Sequence, residues 1–194
     1  ARRLLREAEP WFRAAGSAWG PIAVRDHLAQ LDRLDGLLDQ AADGYRVVYE
    51  NYLRLGLRQA DIALLHHGLV RLAQGRHADA RAELAHCVSA FRTWKAPLQG
   101  SLAWAARLAC DAEVADAGGF DEALEVLRTD LRGAAWVHAE LRPTLRDAAE
   151  RARKRLDDAR ADAVNALLAD LEHAAGVQAD GLAEPGMEAM GGAK

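Results

Sequence analysis

Between Leu102 and Ala115 the chain reads Leu-Ala-Trp-Ala-Ala-Arg-Leu-Ala-Cys-Asp-Ala-Glu-Val-Ala, and only Arg107, Asp111 and Glu113 interrupt its apolar surface. Wound as a helix, this segment is apolar on nearly every side, so other elements must cover it from several directions at once. It therefore belongs at the centre of a helical assembly. Ser101 is placed to cap its start, and the pattern runs to about Asp116. Composition supports the same class. Threonine occurs only at Thr93, Thr129 and Thr144, and isoleucine only at Ile22 and Ile62, while Ala, Leu, Arg, Glu and Asp dominate. Strands draw on β-branched residues and helices on this second group. With 194 residues, 51% of them hydrophobic, the chain can bury a full core in one all-α domain.

The flanking segments show helical periodicity. Ala1 to Ala15 carries Leu4, Leu5 and Phe12, with Pro10 as a kink or restart. From Ile22 the series Val24, Leu28, Leu31, Leu34, Leu38 and Ala41 predicts one long helix, which Asp43-Gly44 ends. Tyr45 to Leu55, Gln59 to Ala73 and His77 to Thr93 follow as further helices, and Asp121 to Leu131 comes after a turn at Gly118-Gly119. Beyond Pro143, the series Leu145, Ala149, Ala152, Leu156, Ala159, Ala163 and Ala166 predicts one helix to about Ala175, with an alanine seam that allows close approach. The glycine-rich residues 176–194 have no period and read as a flexible tail. The domain thus spans 1–175, with a core over 59–132 and capping helices over 1–55 and 143–175.

Two segments share a shape. Gly68 to Leu84 is a helix, a turn at Gly75 and a second helix that opens on Ala80; Ala117 to Leu127 repeats the turn and the second helix, with Ala123 in place of Ala80. Glycine allows the tight turn, and alanine lets the paired helices close on one another. Over Asp61 to Leu131 this resembles the tetratricopeptide repeat (TPR), with Gly68, Ala80 and Leu84 on that family's small, small and large positions. His67 stands where leucine is usual, Arg71 where tyrosine is usual and Asp111 where glycine is usual. The turn glycines lie 43 residues apart, against about 34 in a standard repeat. The expected architecture is therefore antiparallel helical hairpins stacked as a TPR-like repeat, or an irregular helical bundle.

The resemblance implies a concave wall bearing Ile62, Leu65, Leu69 and Leu72, then Ala105, Leu108, Ala112 and Ala115. An open apolar groove of that size is a binding site or an aggregation hazard. The expectation is a protein–protein interaction module, serving as an adaptor, a subunit of a complex or the repeat portion of a larger regulator. It would bind through an apolar helix of a partner, or by self-association. The same groove could instead be filled by the chain's own C-terminal helix. A ligand-binding protein or enzyme with a pocket lined by Trp104, Trp136 and the tyrosines is the alternative.

Chemical motifs are weak. Glu83-x-x-His86 has di-metal spacing and Asp170-x-x-His173 half of it, but both read as solvent-facing. His66-His67 and His86-Cys87 are adjacent, so each pair points about 100° apart on a helix and cannot chelate together. Ser17, Ser89 and Ser101 sit in no nucleophile motif, and Gly118-Gly119 lacks the lysine of a phosphate loop. Asp157, Asp158 and Asp162 have the wrong spacing for an acidic metal motif. Arg151, Arg153, Lys154 and Arg155 are interleaved with acids and unaccompanied by aromatics. No catalytic residue, metal or cofactor is expected. A net charge of −4 does not favour a nucleic-acid partner, and no apolar run approaches a bilayer's width. Cys87 and Cys110 are expected buried, reduced and near one another, as suits a cytoplasmic protein.

Overall fold

A computed structural model describes residues 1–132, 134 and 136–182, with the backbone alone over 175–182. Among the described residues the chain is all α. Its helices are α1 (Arg2–Ala14), α2 (Gly20–Leu34), α3 (Leu38–Arg54), α4 (Gln59–Ala73), α5 (His77–Trp94), α6 (Pro97–Glu113), α7 (Ala117–Asp130), α8 (Leu141–Arg155) and α9 (Asp158–Leu182). Each helix from α1 to α7 packs on the next in chain order, as antiparallel hairpins do. The order then breaks. α8 passes over α7 and lies along α6, and α9 folds back on α8. The C-terminal ends of α6 and α8 meet where Arg151 and Arg155 both reach Glu113 at 3.0 Å, so these two helices run in the same direction.

α6 takes the central place that its sequence demands. It contacts α4, α5, α7 and α8, and Leu102, Ala105, Ala106, Leu108, Ala109 and Ala112 along it are fully enclosed. Phe91, Phe120, Leu127, Leu141 and Leu145 from the surrounding helices complete the main core. Two smaller clusters join the N-terminal helices to it, one around Tyr45 with Ala29, Ala41, Ala42 and Val70, the other around Val48, Tyr52, Ala60 and Ala63. In both, alanines bring the backbones close and a tyrosine fills the remaining space.

Several boundaries differ from the periodicity, each for a local reason. The expected helix from Ile22 to Ala41 is divided by a turn at Gly36, whose φ of +75° suits glycine. Asp43-Gly44 then lies inside α3. A Cβ on Gly44 would come within 2.8 Å of the Ala29 Cβ, so this glycine serves close helix packing and not termination. Ser101 is not a cap. α6 begins four residues earlier at Pro97, a residue suited to a helix start, and the Ser101 hydroxyl donates to the Leu98 carbonyl at 3.0 Å.

At the second hairpin, Gly118-Gly119 form the first turn of α7, and it is Ala115 that bends the chain with φ +56°. Asp116 caps α7 by accepting from the Gly119 N–H. Gly119 must lack a side chain because the Asp111, Asp116 and Arg81 side chains pack where its Cβ would stand.

The expected single helix beyond Pro143 is two. Leu156 (φ −114°, ψ −96°) ends α8, and Asp157 starts α9 by accepting from the Arg160 N–H at 2.8 Å. The alanine seam divides with it. Leu145, Ala149 and Ala152 are buried, whereas Ala159 and Ala166 face outward and α9 buries Ala161, Val164, Leu167, Leu168 and Leu171 instead. The backbone of α9 continues to Leu182, past the Gly176 at which the tail was expected to begin. Residues 183–194 lie outside those described.

Candidate functional site

α2, α4 and α8 face one another across a groove of about 520 Å³. Leu34, Leu69, Leu72, Ala73 and Pro143 make its apolar wall, and Gln30, Arg33, Glu140, Thr144, Asp147 and Arg151 its polar rim. Leu34 is the most open of the apolar residues, at 68% exposure. The rim alternates in charge. Arg33 pairs with Glu140 at 2.6 Å, and Arg151 with Asp147 at 2.8 Å.

Behind the Arg33–Glu140 pair lies a cluster of polar groups from four elements. The Tyr45 ring on α3 and the His66 ring on α4 are 5.3 Å apart, and His138 accepts from the Glu140 N–H at 3.2 Å. Burial drives the Tyr45 hydroxyl up to about 12 against the pull of Arg33, and holds His66 down at about 4 against the pull of Glu140. The Tyr45 hydroxyl, His66 Nδ1 and Arg33 Nε have no hydrogen-bond partner of good geometry among the described residues. Polar atoms enclosed in this way cost stability. Nothing in the local sequence connects Arg33 with Glu140. A tyrosine and a histidine interrupting apolar stripes were the only signal there.

The residues expected to bind a partner divide in two. Leu69 and Leu72 are in the groove wall. Leu65, Ala105, Leu108 and Ala112 are at most 1% exposed, within the core that α8 completes. Ile62 is half-buried against the same core, and Ala115 sits at the α6–α7 bend. Of the two expected occupants of the apolar channel over α6, it is the chain's own C-terminal segment, through α8, that fills it. The physical reason is the continuous apolar face of α6, which α8 covers with Leu141, Leu145, Ala148, Ala149 and Ala152.

Other candidates resolve into structural contacts. His67 is buried and bonds Glu83 at 2.9 Å, while His86 bonds Asp61 at 2.9 Å. Two histidine–carboxylate pairs thus join α4 to α5, and Glu83 is not the solvent-facing residue expected from its place on the helix. Among the described residues, no group of three or more His, Cys, Asp or Glu could hold a metal ion. Arg153 reaches Asp158 and Asp162, at 3.2 and 2.7 Å.

Asp111 is fully buried and meets Arg81 Nε at 2.6 Å and Arg107 at 3.5 Å, while Asp116 takes the other side of Arg81. Cys87 and Cys110 are free thiols, both enclosed, and burial raises each well above the ordinary range, Cys110 to about 12. The aromatic pocket of the alternative reading is not assembled. Trp104 is buried, Trp136 is 77% exposed, and Tyr45 and Tyr52 fill the N-terminal clusters. Among the described residues, no helix is long and apolar enough to cross a membrane.

No family model matches the chain, and no curated protein matches it. Among solved structures it is similar to BtubC (BKLC) from P. vanneervenii, with a TM-score of 0.62 and 14% identity over 98% of this chain and 79% of that one. At that identity the likeness is one of fold.

Proposed function

We propose that this chain is a protein-interaction module, an adaptor or subunit of a complex or the repeat portion of a larger regulator. It holds an apolar helix of its partner in the groove between α2, α4 and α8. One observation carries the reading, namely an exposed Leu34 beside a groove whose floor is the buried Leu69 and Leu72 and whose rim bears charges of both signs. An amphipathic helix offers a matching surface, with apolar residues three and four apart and polar residues beside them. The groove's volume accepts two or three anchoring side chains, and the partner's remaining surface lies over the rim. The resemblance of residues 61–131 to the TPR supports this, since first helices of such hairpins line the concave side and Leu69 and Leu72 belong to one. Two enclosed, unpaired thiols are compatible with a reducing cytoplasm.

Photo-crosslinking tests the site. A photoreactive residue at Leu34 should capture a discrete partner that the same residue at Trp136 does not. Adding Ala73→Arg, an exposed groove position at the end of α4 where a cation is tolerated, should abolish capture while the helical content and thermal midpoint stay close to those of the parent. If both positions capture the same proteins, or Ala73→Arg changes nothing, the groove is not the binding surface.

A further inference from the structure

A second concavity, of about 410 Å³, lies where α5, α6 and α7 meet. Phe91, Trp104 and Val126 line its interior, and Arg92, Lys95 and Asp130 stand at its edge. The volume is in the range of small-ligand sites, and an aromatic floor with a few charged groups is their usual composition. The three charges are not used elsewhere. Neither cation forms an ion pair with a described carboxylate, and both side chains are exposed at the rim.

Lys95 also holds a conformation that works against it. It follows the last residue of α5 with φ +56° and ψ +48°, the left-handed region in which glycine is the relaxed choice. The nearby α5 C-terminus favours a cation, but Arg92 already stands in that last turn.

We infer that this concavity binds an apolar monocarboxylate. The hydrocarbon or aromatic body lies on Val126, Ala96 and Pro97 above the buried Phe91 and Trp104, and the carboxylate is held by Arg92 and Lys95. Two cations against one carboxylate select an anionic ligand. Asp130 across the mouth repels a second negative group, so a monoacid is taken in preference to a diacid. A free acid and the C-terminal residue of a peptide present this same chemistry. The inference stands apart from the groove between α2, α4 and α8, and an Ala73→Arg protein should retain it.

The test uses 3-phenylpropionate as probe, with binding read from the indole N–H resonance of Trp104. A saturable shift below about 10 mM is expected, which corresponds to only about 3 kcal/mol of binding. 3-Phenylpropanamide and phenethylamine should bind at least about fivefold more weakly, through loss of the charge-assisted bonds. Lys95→Gly should weaken the acid by a similar factor while raising the thermal midpoint, so lost binding cannot be ascribed to lost folding.

A tripeptide ending in phenylalanine, as free acid and as amide, separates the sources. Tighter binding of the peptide acid than of phenylpropionate identifies a chain terminus, and weaker binding a free acid. No saturable shift at Trp104, equal binding of acid and amide, or an unaffected Lys95→Gly protein would overturn the assignment.

Discussion

Arg33 at the close of α2 donates to Glu140 at the head of α8 across 2.6 Å, joining residues 107 positions apart. This contact closes the path from the first hairpins to the last and covers Tyr45 and His66. Both side chains are largely shielded, at 18% and 26% exposure, so the bond is stronger than an open surface pair. Glu140→Gln should destabilise the fold by about 1.5 kcal/mol, the low end of the range for a hydrogen bond to a charged group, because the glutamine oxygen can still accept. Hydrogen exchange should quicken first at the start of α8. Tyr45→Phe should have the opposite sign, because its hydroxyl is enclosed without a well-formed bond and its removal relieves up to about 1 kcal/mol.

His66 makes stability depend on pH in one definite direction. Burial lowers it from 6.5 to about 4, so between those values the unfolded chain binds the proton and the folded chain does not. Its contribution is complete above pH 6.5 and is lost as pH falls through about 4, to a total of up to about 3 kcal/mol. Denaturant titrations of the parent and of His66→Phe at several pH values check this. The variant should show a flatter dependence between pH 6.5 and 4, and an unchanged slope would exclude His66 as the cause.

Asp111 joins α5 and α6 by holding Arg81 and Arg107 from a position with no solvent contact. Burial raises its pKa more than the two arginines lower it. Without Asp111, Arg81 keeps Asp116 and Arg107 keeps Glu122, so part of the charge stays compensated. Asp111→Ala should therefore cost about 1.5–3 kcal/mol in urea unfolding, the range for hydrogen bonds to charged groups, whereas Glu122→Ala, at the exposed edge of the same network, should cost under about 1 kcal/mol.

The two hairpin turns predict opposite effects of exchanging alanine and glycine. Gly75 has φ +76° and Ala115 has φ +56°. Gly75→Ala should destabilise by about 1 kcal/mol and Ala115→Gly should stabilise by a similar or smaller amount, because only alanine is strained in the left-handed region. Thermal midpoints moving in the same direction would contradict the backbone argument.

How much of this was legible in the sequence depended on whether a residue's role was local. The class, the hairpin stacking, the enclosure of α6 and the positions of α4 and α5 follow from periodicity, which reports one helix's own faces. Gly44 and Gly119 read as turns because glycine's local meaning is freedom, whereas here it is absence of volume beside Ala29, or beside Asp111, Asp116 and Arg81. The break at Leu156 was hidden because the alanine seam keeps its spacing across it. His67 and Glu83 looked unremarkable because each matters only through the other, and Arg33 and Glu140 became a site only once α8 had bypassed α7.

A helix enclosed largely by alanine has an unusual tolerance to change. Ala103, Ala105, Ala106, Ala109 and Ala112 are all fully enclosed on α6, and each has only a methyl group to lose, so truncation there opens little space. Enlargement is another matter, since an added isopropyl or phenyl group must push a neighbouring backbone outward. Variation along α6 is therefore confined to one direction in size, and most of the chain's freedom to diversify lies in the outer helices, where the groove and the second concavity are formed.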